Sequence, residues 1–442
     1  MIFSKSNAQV RIFKYALAVW FTISLIQFVA ATFFDQEINK FFGELMEYRW
    51  IRIFAWIFEN SGDMAQPVLF YFVIFTIFFE SIYVYCKKNN KFHIWIWIYY
   101  IFIFLTWIYV HVKNYFSFVG IDDGFGPDIS AWFFESYEIC RYIVIALAIV
   151  DTIILLAFFY YLRFKFVKRK DVIENAYWLK SLKTFISAAG LTLIVWVLKL
   201  TFLRPYYYQT DFDNILNNEN LVKQEWKDYY LNEGHNIMKW GKGLLGNYGS
   251  KFVPWFEITD FPNGWKNFIS GERGDPGYNF LYADFPSGHM ASTYSVFYAL
   301  VFFYDKKLHQ NYTKRYIALF CFWMFYLNLV LSTQLITKTH WLSDLSFTNV
   351  LGVLWPLGLY KIINKIVFKI ICKKISKNNI QVKGLVIIRN KSYHLMVIHN
   401  GNVYDLASAG IFFPVIGKVN KKIEILMKKY YIKEIKTVES KE

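Results

Sequence analysis

The feature that most constrains this chain is a series of apolar runs about 20 residues long, the length an α-helix needs to cross the hydrocarbon core of a bilayer. They fall at 15–34, 65–86, 93–112, 139–162, 179–203, 290–304, 315–332 and 341–360. The runs at 290–304 and 315–332 are short, so their reading rests partly on spacing and flanking charge. The first run follows Lys5, Arg11 and Lys14, as the apolar part of a signal peptide would. It lacks a small-x-small cleavage site and reads as an anchor helix that stays. The pattern predicts an all-α polytopic membrane protein of about eight transmembrane helices. With 56% hydrophobic residues, a disordered polymer is excluded.

A formal charge of +16 fits a nucleic-acid binder as well as a membrane protein, so its distribution decides. One set of loops is basic: the N-terminus, 87–91, 163–170, the pairs Lys306/Lys307 and Lys314/Arg315, and the tail from 361, which holds 17 bases against 5 acids. The alternate loops are acidic: 35–64 has six acids and three bases, 113–137 four and one, 205–285 eleven and seven. Lys and Arg near span ends stay cytoplasmic. Both termini are therefore expected in the cytoplasm of a plasma membrane (a bacterial inner membrane), with the 205–285 loop outside. The basic excess is then topological, and membrane lipids rather than nucleic acid are the expected partners. The sequence says nothing of oligomeric state. Cys86, Cys140, Cys321 and Cys372 show no spacing for zinc or a disulfide framework.

Beyond about 378 the pattern changes. Residues 384–389 and 393–397 read as strands, and Asn400-Gly401 between apolar runs is a hairpin signal. A small α+β cytoplasmic C-terminal module and a basic tail lying along anionic headgroups both remain open. The expected organisation is two N-terminal transmembrane helices in 1–90, a six-helix core in 91–368 and the basic tail in 369–442.

Three polar clusters lie at outward ends of spans. In Pro286-Ser287-Gly288-His289, Pro at a helix start, an adjacent hydroxyl and a Gly where backbone must come close describe an anion-binding helix N-terminus. His289 would stand beside the anion as a proton donor; a plain capped helix start is the alternative. His340 and Asp344 are four apart, on one helix face, so the carboxylate can hold one ring nitrogen and leave the other nucleophilic. Lys199 and Arg204, the latter followed by Pro205, are either snorkelling cations or a phosphate clamp. Glu80 and Asp151, ionisable residues within spans, read as structural pairs with neighbouring helices rather than as site residues.

The order and spacing of these clusters resemble the type 2 phosphatidic acid phosphatase superfamily, integral membrane lipid phosphatases with the pattern Lys-x6-Arg-Pro, Pro-Ser-Gly-His and Ser-Arg-x5-His-x3-Asp. The resemblance covers roughly 93–362. Pro286 to His289 match in full, and His340-x3-Asp344 matches. Two departures stand out: four residues separate Lys199 from Arg204, and Gln334 replaces the motif Arg. With Lys199 in register, the motif Arg-Pro falls on Tyr206-Tyr207 and Arg204 approaches from beside it; Lys338 can supply the charge lost at 334. The resemblance implies a lipid phosphate or diphosphate phosphatase, with His340 as nucleophile oriented by Asp344 and His289 as acid and base. Lys199, Arg204, Ser287, Gly288, Gln334 and Lys338 would hold the phosphate. It implies no metal and no cofactor. A lipid phosphotransferase would use the same residues, and a catalytically silent membrane sensor is the further alternative.

Overall fold

The computed structural model describes residues 2–60, 66–88, 94–117, 137–169, 177–211, 251–258, 284–299, 313–377, 382–389, 392–399, 402–405 and 432–439, with a few isolated positions besides. The chain is mostly helical. In order come α1 (Ile2–Glu44), α2 (Arg49–Asn60), α3 (Gln66–Lys88), α4 (Trp95–Ser117), α5 (Tyr137–Phe164), α6 (Tyr177–Phe202), α7 (Gly288–Phe297), α8 (Thr313–Ile336) and α9 (Leu342–Lys377). Segments Tyr15–Glu47, Trp95–Lys113, Tyr142–Lys168, Tyr177–Thr210 and Ile317–Ile336 are long and apolar enough to cross a membrane. The other apolar runs lie on α3, α7 and α9. The described part of α7 has only ten residues, and α9 opens on buried polar side chains, Ser343, Asp344, Ser346, Thr348 and Asn349, which lower its apolarity.

The helices sort by which faces are apolar. On α4, Ile98, Ile101, Phe102 and Leu105 point outward, as do Ile149, Val150, Ile153 and Leu156 on α5. Such a surface suits hydrocarbon and would be a liability in water. Their inner faces join α3 through Phe72, Ile103, Trp107, Leu155 and Phe159. A second, larger core joins α1, α6, α7, α8 and α9 around Trp20, Leu191, Tyr294, Leu327 and Leu345. Helix α1 thus packs into the same core as α6 to α9. Close approach is set by glycine. A Cβ at Gly190 of α6 would come within 2.5 Å of the Trp355 ring on α9, and one at Gly352 within 2.7 Å of the Tyr294 ring on α7.

Glu80 is fully buried on α3, where Tyr100 Oη donates to Oε1 at 2.6 Å and Arg163 Nη1 donates to Oε2 at 2.9 Å. The Arg163 guanidinium also lies 4.1 Å from the Tyr83 ring centroid. This is the structural pairing expected for it. Asp151 is also buried, but its Oδ2 has no hydrogen-bond partner among the described residues.

The tail carries four strands: β1 (Val382–Arg389), β2 (Ser392–His399), β3 (Asn402–Asp405) and β4 (Ile432–Glu439). They form one sheet in the order β3-β2-β1-β4, with β1/β2 and β2/β3 antiparallel and β1/β4 parallel. β1 and β2 cover the two segments read as strands, and His399 faces Asn402 across the connection containing Asn400-Gly401. Residues 406–431, where any helix of an α+β module would fall, lie outside the described residues, as does most of the 205–285 loop.

Candidate active site

Two chain reversals build the site. At the start of α7, Ser287 is extended (φ −66°, ψ 122°) and its Oγ accepts from Met290 N at 3.3 Å. A hydroxyl at this N-cap position serves a helix N–H that lacks an intrahelical partner. Gly288 and His289 then form the first turn. Between α8 and α9, residues 337–341 reverse the chain with Lys338 in the left-handed region (φ 57°). The Gln334 carbonyl accepts from Thr339 N at 3.1 Å and His340 N at 3.4 Å, which fixes the backbone that carries His340.

The reversals bring the two histidines together. His289 Nδ1 and His340 Nε2 are 2.8 Å apart. The other nitrogen of His340, Nδ1, contacts Asp284 Oδ1. His340 and Asp284 are both 0% exposed. An ionised Asp284 accepts a hydrogen bond from Nδ1–H, so the Nε2 lone pair faces His289. Burial pushes the Asp284 carboxyl up to about 7, opposed by its hydrogen bond with Asp344, by Lys199 and Arg204, and by the Trp341 N–H.

Lys199 reaches the same place from α6. Its Nζ donates to Tyr206 Oη at 3.3 Å and to the Asp284 carbonyl at 3.2 Å, and its Cε is 3.9 Å from where a Gly288 Cβ would stand. The Tyr206 ring lies 5.4 Å from the His340 ring. Gln334, fully buried, accepts from Ser287 Oγ at 3.3 Å through Oε1, while its Nε2 has no hydrogen-bond partner among the described residues. Lys199, Ser287, Gly288, His289, Gln334 and His340 therefore gather at the N-terminus of α7.

Three sequence expectations are corrected. Asp284, rather than Asp344, is the carboxylate in contact with His340 Nδ1. Four residues of spacing put Asp344 on the right helix face, but its Oδ1 pairs with Arg204 Nη1 at 2.7 Å and its Oδ2 accepts from Trp341 N at 3.2 Å. Arg204 is engaged with other protein groups instead. Fully buried, it donates to Asp344, to Ser343 Oγ at 2.6 Å, to Asp35 Oδ2 at 2.8 Å and to the Val253 carbonyl at 2.7 Å. Those acceptors consume the fork that a phosphate would need. Lys338 sits apart as well, ion-paired with Asp211.

Sequence reasoning did not single out Asp284 or Asp35, and it reached Tyr206 only as the position on which the motif Arg falls. For Asp284 a signal existed: an acid two residues before Pro286, at the edge of the strongest motif. Among the described residues, Asp284, His340 and Asp344 also form a group whose ligand atoms, all within 4.8 Å of one another, could hold a metal ion. In the structure these atoms are engaged with each other and with Arg204, whose guanidinium a cation would have to displace.

With this geometry in hand, the comparisons with known proteins are specific. Residues 231–368 match the sequence model of the PAP2 superfamily. That segment holds both histidines, Asp284, Gln334 and Asp344, and it begins after Lys199. Over 366 residues the chain is 27% identical to an uncharacterized protein of Mycoplasma capricolum subsp. capricolum, a match spanning 77% of this chain and 88% of that one. No solved structure matches.

Proposed function

The chain belongs to the PAP2 superfamily, and from that premise we propose that it removes phosphate from a lipid phosphate or diphosphate at the outer face of the plasma membrane. The single observation that supports this most is the paired rings of His289 and His340 at the N-terminus of α7, with Asp284 behind His340.

In the first step His340 Nε2 attacks phosphorus and the bond from phosphorus to the lipid oxygen breaks. His289 gives that oxygen a proton, leaving a phosphohistidine and a free lipid alcohol. In the second step water attacks phosphorus, His289 takes its proton, and the N–P bond breaks to release phosphate. Asp284 holds the Nδ1 proton throughout and stabilises the positive charge that grows on the ring. Lys199, Ser287 Oγ, the Gly288 N–H and Gln334 Nε2 offer donors to the oxygens that gain charge in the transition state. The outward orientation is supported by the alternation of basic and acidic loops, since Lys and Arg near span ends favour the cytoplasmic side.

The test is purified protein in detergent with a panel of lipid phosphates and diphosphates, with and without acceptor alcohols, beside His340→Ala. Phosphate release that vanishes in the variant supports hydrolysis. Phosphoryl product on an alcohol supports the transferase instead, and neither product in the wild type would leave only the silent sensor.

A further inference from the structure

Helix α1 lies outside the family-matched segment, yet it reaches the backbone on either side of Trp341, the residue that follows His340. Asn39 Nδ2 donates to the His340 carbonyl at 2.8 Å, and Asn39 Oδ1 accepts from Leu342 N at 3.1 Å. One carboxamide thus brackets the peptide planes around Trp341. One turn earlier, Asp35 Oδ1 accepts from Ser343 N at 3.1 Å, and its Oδ2 accepts from Ser343 Oγ at 2.5 Å and Arg204 Nη2 at 2.8 Å. Asp35 is 4% exposed and Asn39 0%. The helical backbone of α1 breaks at Phe34 (φ −129°, ψ 27°), immediately before Asp35.

These bonds solve a problem that α9 cannot solve for itself. The first N–H groups of a helix have no intrahelical acceptor, and here they are buried beside the reacting groups. Trp341 N is served by Asp344 and Asp284, Leu342 N by Asn39, and Ser343 N by Asp35. The partial positive charge of the helix N-terminus and the Arg204 guanidinium partly offset the three carboxyl groups gathered there. Half of this cap comes from α1.

From this geometry we infer that α1 is part of the catalytic apparatus, with Asp35 and Asn39 as positioning residues that hold the His340 backbone so that its ring meets both Asp284 and His289. The inference rests on the phosphatase reading for its consequence in rate, and on the structure alone for its consequence at the His340 ring. A displacement of about 1 Å at a reacting group costs roughly a hundredfold in rate. Asn39→Ala and Asn39→Asp, the latter keeping the acceptor for Leu342 N while removing the donor to His340, should each lower kcat by about ten- to a hundredfold with KM changed little.

The experiment pairs these variants and Asp35→Asn with Trp20→Phe. Trp20→Phe removes the bond from Trp20 Nε1 on α1 to Tyr294 Oη on α7, 2.8 Å, which involves neither Asn39 nor the α8–α9 turn. Steady-state kinetics are read beside the ring nitrogen signals of His340 in histidine-labelled full-length protein, assigned by loss in His340→Gln. The expected result is moved His340 signals and reduced kcat in the Asn39 and Asp35 variants, with neither change in Trp20→Phe. Unmoved signals and full kcat in folded Asn39→Asp overturn the inference. Wild-type protein that releases no phosphate sinks the phosphatase reading instead, and the His340 signals then decide by themselves whether α1 holds the ring.

Discussion

The ring nitrogens His340 Nε2 and His289 Nδ1 stand 2.8 Å apart, with the ring planes at 76°. Under the proposed mechanism the lone pair that attacks phosphorus is the one that would accept this hydrogen bond, so a phosphoryl group would have to enter between the rings and part them. Nucleophile and proton donor would then flank the substrate from opposite sides, as an in-line displacement requires.

The first prediction concerns His289. If it protonates the leaving oxygen, His289→Ala should slow a lipid alkyl phosphate by about 10²- to 10⁴-fold. A p-nitrophenyl ester, whose leaving group needs no proton, should lose much less. Comparing the two substrates in wild type and variant checks this, and equal losses would count against an acid role.

Asp284 gives a pH prediction with two opposite signs. Burial raises its carboxyl from 3.8 to about 7, so the folded protein holds this proton more tightly than the unfolded chain. Its contribution to stability is present in full below pH 3.8 and is lost as pH rises through about 7. Activity needs the ionised form to accept the His340 Nδ1 proton, so the rate should climb over the range in which that stability falls. Rate and thermal-unfolding profiles from pH 5 to 8 check this. Asp284→Asn should flatten the acid limb of the rate, and Asp344→Asn should leave the limb in place.

Arg204 separates structural from substrate-binding roles. Removing one member of a buried ion pair leaves an uncompensated charge and costs about 3–5 kcal/mol. Arg204→Ala strands both Asp35 and Asp344, so it should lower the melting temperature and the yield of folded protein. A folded variant with an unchanged melting temperature but a raised KM would restore the clamp role that the sequence pattern suggested.

What the sequence made legible was local. Pro286 to His289 announce a helix start with a histidine in its first turn, and a four-residue spacing puts His340 and Asp344 on one face. Among the described residues, five of the apolar runs fall on helices long and apolar enough to cross a membrane. Contacts between distant segments were not legible. Asp284 meets His340 across 56 residues and Asp35 meets Ser343 across 308, and no spacing rule reaches that far. Spacing also misled at Asp344, because helix geometry fixes the face a carboxylate occupies without fixing which neighbour takes it. Arg204 shows the same limit: beside a phosphate motif a cation reads as a ligand, while three buried acceptors on other helices hold it elsewhere.

Gln334 tests where phosphate binds. A buried amide nitrogen left without a partner costs about 1–3 kcal/mol, and the Gln334 side chain carries that cost while its Oε1 takes the Ser287 hydroxyl. If Nε2 is kept for a phosphate oxygen, Gln334→Leu should stabilise the fold and weaken inhibition by inorganic phosphate at the same time. Gln334→Arg, which adds a charged donor worth about 1.5–3 kcal/mol, should raise kcat/KM by about ten- to a hundredfold. Thermal unfolding and phosphate inhibition constants on the three proteins check both arms. A leucine variant with an unchanged phosphate constant would mean that the anion sits on Lys199 and the mouth of α7 without touching Gln334.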